Sequence, residues 1–474
     1  MPAYFGMLSD TLLRSGFPVM TSPIPQVQAP SAAAAPAAPT FNEALRFWLR
    51  LGFVSFGGPA GQIAILHQEL VERRRWISEG RFLHALNYCM LLPGPEAQQL
   101  ATYLGWLMHR TRGGLVAGVL FVLPGFFCLL ALSWIYVRFG HLVWIAGLFH
   151  GIKPAVTAIV VQSVVRIGSR TLKNPTLWAI AAAAFAGIFV WNLPFPLIVA
   201  AAALCGAIGG RILPGHFALG GGHVGQRAAA RPAVIDDNTP IPPHARFRAS
   251  RLVAIAAAGL LLWAAPLGLL AATFGWQHGF TQMGWFFTKA ALLTFGGAYA
   301  VLPYVYQGAV THYGWLQPAQ MIDGLALGET TPGPLILVVS FVGFVGGYQL
   351  APFGADASLA AGLVGATLVT GFTFLPSFLF ILAGGPLVES TRDVLQLSAP
   401  LTGITAAIVG VILNLALFFA YHVLWPTGFG GSFDGISLAI GIAAAIALLR
   451  YKRSVPQVIG ACALAGLAVA LLAR

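Results

Sequence analysis

The sequence predicts an all-α polytopic membrane protein. Two inverted-topology repeats each carry two broken helical hairpins followed by about four spans, and one extra span joins them. Three observations carry that prediction. Hydrophobic residues make up 58% of the 474-residue chain and charged residues only 8%, outside the balance of ordinary soluble domains. Segments 113–137, 174–210, 252–288 and 454–473 hold no Asp, Glu, Lys or Arg, and about 20 such residues cross a hydrocarbon core as a helix. Finally, Ser-Phe-Gly-Gly at 55–58 recurs as Thr-Phe-Gly-Gly at 294–297, and Pro-Gly-Pro at 93–95 recurs at 332–334, both at a shift of 239 residues. At that shift Phe47 falls on Phe286, Arg50 on Lys289, Gln68 on Gln307 and Trp76 on Trp315, so the duplicated unit extends well beyond the two motifs. The alternating ten-residue strands of a membrane barrel are absent.

Residues 1–40 are rich in Ala and Pro and are expected to be disordered. The first twenty residues lack the sustained apolar run of a signal peptide. The first repeat, 41–210, opens with residues 41–54, the break at 55–61, and an arm running to Arg73, Arg74 and Arg75. A second pair of arms, from Arg81 to Leu92 and from Glu96 to Arg110 and Arg112, flanks Pro93-Gly94-Pro95. About 10 helical residues reach the bilayer midplane and about 20 cross it, so each pair reads as a hairpin that enters and returns. Basic residues at the feet place them in the cytoplasm. Residues 113–137 then lead outward, 141–165 return, and 175–210 make an out-and-back pair. The polar linker 211–251 reads as cytoplasmic, and the extra span 252–274 carries the chain outward, so the second repeat, 285–474, is inverted. Its loops at 311–315 and 347–354 carry no Lys or Arg, whereas Arg392, Arg450, Lys452 and Arg453 fall inside. The N-terminus is thereby expected in the cytoplasm and the C-terminus in the periplasm.

The net charge of +12 sits in short clusters between apolar stretches, which is topology information and speaks against a nucleic-acid partner. Cys89, Cys128, Cys205 and Cys462 have no C-x-x-C spacing. With no H-E-x-x-H and no nucleotide loop either, no metal, cofactor or enzymatic chemistry is expected. Broken backbone at membrane depth survives only if buried in protein or lining a wet cavity, and paired breaks in two copies point to a transporter site. The candidate binding residues are Ser55, Phe56, Gly57, Gly58, Pro59, Pro93, Gly94 and Pro95 in the first copy. In the second they are Thr294, Phe295, Gly296, Gly297, Pro332, Gly333 and Pro334. Pro59, Pro95 and Pro334 suit the first position of a helix, whose N–H groups and dipole favour an anion. Arg50, Lys289 and the mid-span Lys153 are the candidate cations for it. Glu96 and Glu329 flank the Pro-Gly-Pro breaks, either as caps or as proton carriers coupled to transport.

With these strings in view, the chain resembles the chromate ion transporter family in its long two-domain form. The resemblance rests on Phe-x-x-x-Leu-Gly-x-x-Ser-Phe-Gly-Gly-Pro-Ala at 47–60, Leu-Pro-Gly-Pro-x-x-x-Gln at 92–99, Thr-Phe-Gly-Gly at 294–297 and Glu-Thr-Thr-Pro-Gly-Pro at 329–334. It implies efflux of chromate across the bacterial cytoplasmic membrane and chromate resistance, with no cofactor. Sulfate as an alternative substrate, proton exchange and a homodimer stay open. One departure is Cys89-Met90-Leu91, which stands where many members carry a polar Gln.

Overall fold

The computed structural model describes residues 36–56, 58–217, 232–240, 242–390 and 398–472. Gly57, Arg392, most of the 1–40 extension and the middle of the 211–251 linker lie outside the described residues. The first copy contributes α1 (Phe41–Val54), α2 (Gly58–His67), α3 (Glu79–Leu91), α4 (Glu96–Phe139), α5 (Val143–Thr171), α6 (Pro175–Phe189), α7 (Phe195–Ile212) and the single turn α8 (Pro214–Phe217). The connecting span is α9 (Ala249–Phe274). The second copy follows as α10 (Gly279–Leu292), α11 (Ala298–Tyr306), α12 (Pro318–Thr330), α13 (Val338–Leu350), α14 (Ser358–Ser390), α15 (Ser398–Leu424), α16 (Gly435–Leu449) and α17 (Val455–Leu472). Among the described residues, seven helices are long and apolar enough to cross a bilayer.

Local chemistry fixes where these helices start and stop. Thr40 and Glu43 form a capping box, Glu43 N–H donating to Thr40 Oγ1 at 3.3 Å and Thr40 N–H to Glu43 Oε2 at 2.7 Å, so α1 begins where the Ala-Pro stretch ends. Asn174 caps α6 ahead of Pro175, and Asp434 caps α16. Helix α4 is two arms in one: His109 and Arg110 leave helical geometry, Arg110 with φ 58°. The short arm that follows Pro95 therefore ends at the basic pair, and the long arm starts beyond it. Each copy also carries a π-helical turn at the same repeat position, Gln68–Arg73 and Gln307–His312.

The two copies exchange their long spans. Helix α5 packs on α16 and α17, while α15 packs on α6 and α7. Both exchanges run through small residues: a Cβ on Gly151 would fall 1.9 Å from Cys462 O, and one on Gly206 would fall 2.4 Å from Ala399 O. Membrane helices gain most from such backbone approach, because lipid removes the usual hydrophobic drive. The outer faces stay apolar, with Trp178, Leu204 and Leu261 each more than 60% exposed on α6, α7 and α9.

The described part of the linker lies on the feet of the first hairpins. Val234 and Ile235 donate to the carbonyls of Arg75 and Trp76, both at 3.0 Å. Arg81, 3% exposed, pairs with Glu389 at 2.7 Å and donates to Thr239 O at 2.6 Å. Burial, together with Arg110 and Arg251, holds the His244 imidazole below its ordinary pKa. A neutral ring beside two guanidiniums avoids like charge, and it contacts Trp106 O at 3.1 Å.

Candidate functional site

The four breaks meet. Gly94 N–H, in the Pro-Gly-Pro of the first copy, donates to Thr294 O in the second copy at 2.7 Å. Gly333 N–H, in the Pro-Gly-Pro of the second copy, donates to Ser55 O in the first at 2.8 Å. Under the 239-residue shift Gly94 maps onto Gly333 and Ser55 onto Thr294, so these are one bond formed twice across the interface of the repeats. The first breaks of the two copies are also adjacent to each other: Pro59 Cγ lies 4.0 Å from where a Cβ on Gly297 would stand.

A side-chain hydroxyl marks the end of α1 and of α10, and a glycine with positive φ follows α3 and α12. Ser55 Oγ donates to Leu51 O at 2.6 Å and Thr294 Oγ1 to Ala290 O at 2.7 Å, the local back-bonding that competes with helix continuation. Gly94 has φ 132° and Gly333 φ 93°, conformations that a side chain resists. A Cβ on Gly94 would also sit 2.5 Å from both Gln99 Nε2 and Ser377 Oγ. The helices that leave the crossing begin without side-chain caps at Pro95, Gly297 and Pro334. Their first-turn N–H groups have no side-chain cap, and Glu96 is the one acidic residue in those first turns.

Polar side chains close around this backbone. Gln62 Nε2 bridges Gly333 O at 2.5 Å and Ser55 O at 3.3 Å, and Gln99 Nε2 donates to Pro93 O at 2.8 Å. The Oε1 atoms of Gln62, Gln98 and Gln99 and the Oγ of Ser377 are buried with no hydrogen-bond partner among the described residues. In the second copy Tyr299 OH donates to Glu329 Oε1, and Arg166 on α5 lies within electrostatic reach of both.

Most of the residues singled out in the sequence lie in this assembly. Ser55, Thr294, Gly94, Pro95, Gly297, Gly333 and Pro334 are buried in it, Pro59, Pro93, Phe295 and Pro332 are partly buried, and Gly58, φ 70°, opens α2. Phe56 and Gly296 are exposed. Glu96 opens α4 directly after the break. The three candidate cations are elsewhere: Arg50 is exposed on α1, Lys289 Nζ lies 5.6 Å from the Trp285 ring, and Lys153 pairs with Asp323 at 3.6 Å. Sequence reasoning missed Gln62, Tyr299, Arg166 and Ser377. The repeat comparison hides the first two, because Val301 stands where Gln62 does and Ala60 where Tyr299 does.

These features define a multi-pass helical membrane protein with a duplicated, broken-helix centre. The family model described as "Chromate transporter" matches residues 42–207 and 281–467. The chain is similar to a chromate transport protein of Cupriavidus metallidurans, 30% identical with 90% of this chain and 93% of that protein covered. It is also similar to a chromate transport protein of Pseudomonas aeruginosa, 35% identical over 77% of each chain. A probable chromate transport protein of Synechococcus elongatus is 27% identical over 88% of this chain and 92% of its own. No solved structure matches the chain. The chain belongs to the chromate transporter family.

Proposed function

We propose that the protein exports chromate from the bacterial cytoplasm, holding the dianion where the four breaks cross. The observation that carries this reading is the reciprocal pair Gly94 to Thr294 and Gly333 to Ser55, which brings uncapped helix N-termini from both copies to one place. A tetrahedral oxyanion there accepts from first-turn N–H groups and from the Ser377 hydroxyl, and it needs no side-chain cation in direct contact. Arg50 and Lys289, each five residues before its break, supply positive field over the approach. Glu96 and Glu329 are the proton carriers in this scheme, Glu329 being held by Tyr299.

An inverted arrangement of the two copies belongs to the same reading. Arg251 at the start of α9 donates to Thr111 at the start of the long arm of α4 at 3.2 Å, so both spans leave from the side carrying the basic linker. That side is cytoplasmic by the positive-inside rule, which leaves the N-terminus inside and the C-terminus outside. Moving a dianion outward across an inside-negative membrane releases about 4.6 kcal/mol per 100 mV, so the potential is by itself sufficient to drive export. The test is uptake of labelled chromate into inverted vesicles, with sulfate as competitor. Saturable uptake that excess sulfate fails to suppress is expected; preference for sulfate would reassign the substrate, and no uptake would refute the reading.

A further inference from the structure

A polar cavity lies away from the crossing. It measures about 290 Å³ and is lined by His150 and Lys153 of α5, Gln317 before α12, His422 of α15, and Asp434 and Ser437 at the start of α16. The third turn of α5, the first turns of α12 and α16 and the last turn of α15 meet there. That is the end of the molecule opposite the basic linker.

Its charges are unevenly committed. Asp434 accepts from Ser437 N–H and Ser437 Oγ, both at 2.8 Å, and lies 3.5 Å from His150. It is used as a helix cap. Lys153 stands at the cavity wall with its side chain 28% exposed, and behind it lies Asp323, 4% exposed. The Lys153 to Asp323 distance is 3.6 Å, longer than the roughly 2.8 Å of a closed charge-assisted bond. Asp323 Oδ2 accepts from Tyr136 OH at 2.9 Å, whereas Oδ1 is buried with no partner among the described residues. The lysine therefore has a loosely held carboxylate on one side and the polar cavity on the other.

We propose that this cavity is a second station for the transported oxyanion, at which the dianion and Asp323 compete for Lys153. The proposal rests on the transport reading above and adds an exit site to it. With Asp323 ionised, Lys153 is largely neutralised and the station is weak, so an anion arriving from the crossing is released. Neutralising Asp323 strands the positive charge on the cavity wall and turns the station into a trap.

The two partners of this ion pair thus have opposite signatures, which a structural ion pair does not. The experiment uses the full chain in lipid nanodiscs at one fixed pH, with labelled chromate and labelled sulfate as probes. It is paired with chromate flux in proteoliposomes. Asp323→Asn is expected to tighten oxyanion binding roughly tenfold while slowing turnover, and Lys153→Gln to weaken binding by a similar factor. Lys153→Arg is expected to restore binding, and the double variant to behave as Lys153→Gln does. If both single variants weaken binding together, or neither changes it, the station is refuted while wild-type flux still upholds the transport reading. If the wild-type protein neither binds nor moves either anion, the transport reading fails and the station with it.

Discussion

The breaks of the first copy and those of the second have the same backbone and different side chains. In both, a Pro-Gly-Pro glycine donates its N–H to the carbonyl of a Ser or Thr in the other copy, at 2.7 and 2.8 Å. Around that shared frame the first copy places the amides of Gln62 and Gln99, while the second places Tyr299 against Glu329. At the repeat-equivalent positions stand Val301, Val338, Ala60 and Met90. The lesson is that a crossing built from main-chain bonds needs only glycine, proline and a hydroxyl residue from each copy. Its side chains are free to differ, so one half carries amides and the other a tyrosine–carboxyl pair.

The largest effect should come from breaking what the halves share. Gly94→Leu and Gly333→Leu should each reduce chromate export to background while membrane insertion persists, because both glycines hold positive φ within the crossing. Resistance of cells expressing these variants at wild-type level measures it. Normal resistance would return the breaks to ordinary packing kinks.

Next comes the half with the tyrosine–carboxyl pair. Glu329→Gln should flatten the pH dependence of initial rates in inverted vesicles while oxyanion binding survives, and Tyr299→Phe should shift the same profile, since the phenol is the donor to Glu329. Glu96→Gln probes the first copy in the same assay. A pH profile unchanged in both Gln variants would remove proton handling from the account.

Smaller still is the amide half. Gln62→Ala leaves Gly333 O without its side-chain donor, and an unsatisfied buried acceptor costs about 1–3 kcal/mol. Thermal unfolding in nanodiscs should register that loss with transport reduced but present. The smallest expected effect belongs to Arg50→Gln and Lys289→Gln: a few-fold rise in the half-saturating chromate concentration that salt masks, as for field rather than contact. A loss as large as that of Gly94→Leu would place these cations in the site.

The difference between the halves also explains what the sequence could reveal. Duplication, breaks and short arms are legible because glycine and proline punctuate helices by local geometry, as at Gly94, Pro95 and Gly333. The end of the short α4 arm is legible from Arg110. Which break bonds to which is not, since a backbone bond such as Gly333 to Ser55 leaves no mark on side-chain type. Gln62, Tyr299 and Arg166 were hidden for a related reason. They sit on a single copy each, so a search for repeated residues passes over them, and Arg166 reads as one more basic foot of a span. The pairing of Lys153 with Asp323 joins residues of α5 and α12 and depends on tertiary packing.

The proposed passage of an oxyanion where the two copies meet is open to test by chromate flux in inverted vesicles at a clamped potential, comparing the wild-type chain with Gly94→Leu. Wild-type flux should be saturable, should rise as the potential favours moving negative charge outward, and should vanish in the variant at equal expression. Flux that ignores the potential, or that persists undiminished in Gly94→Leu, would contradict it.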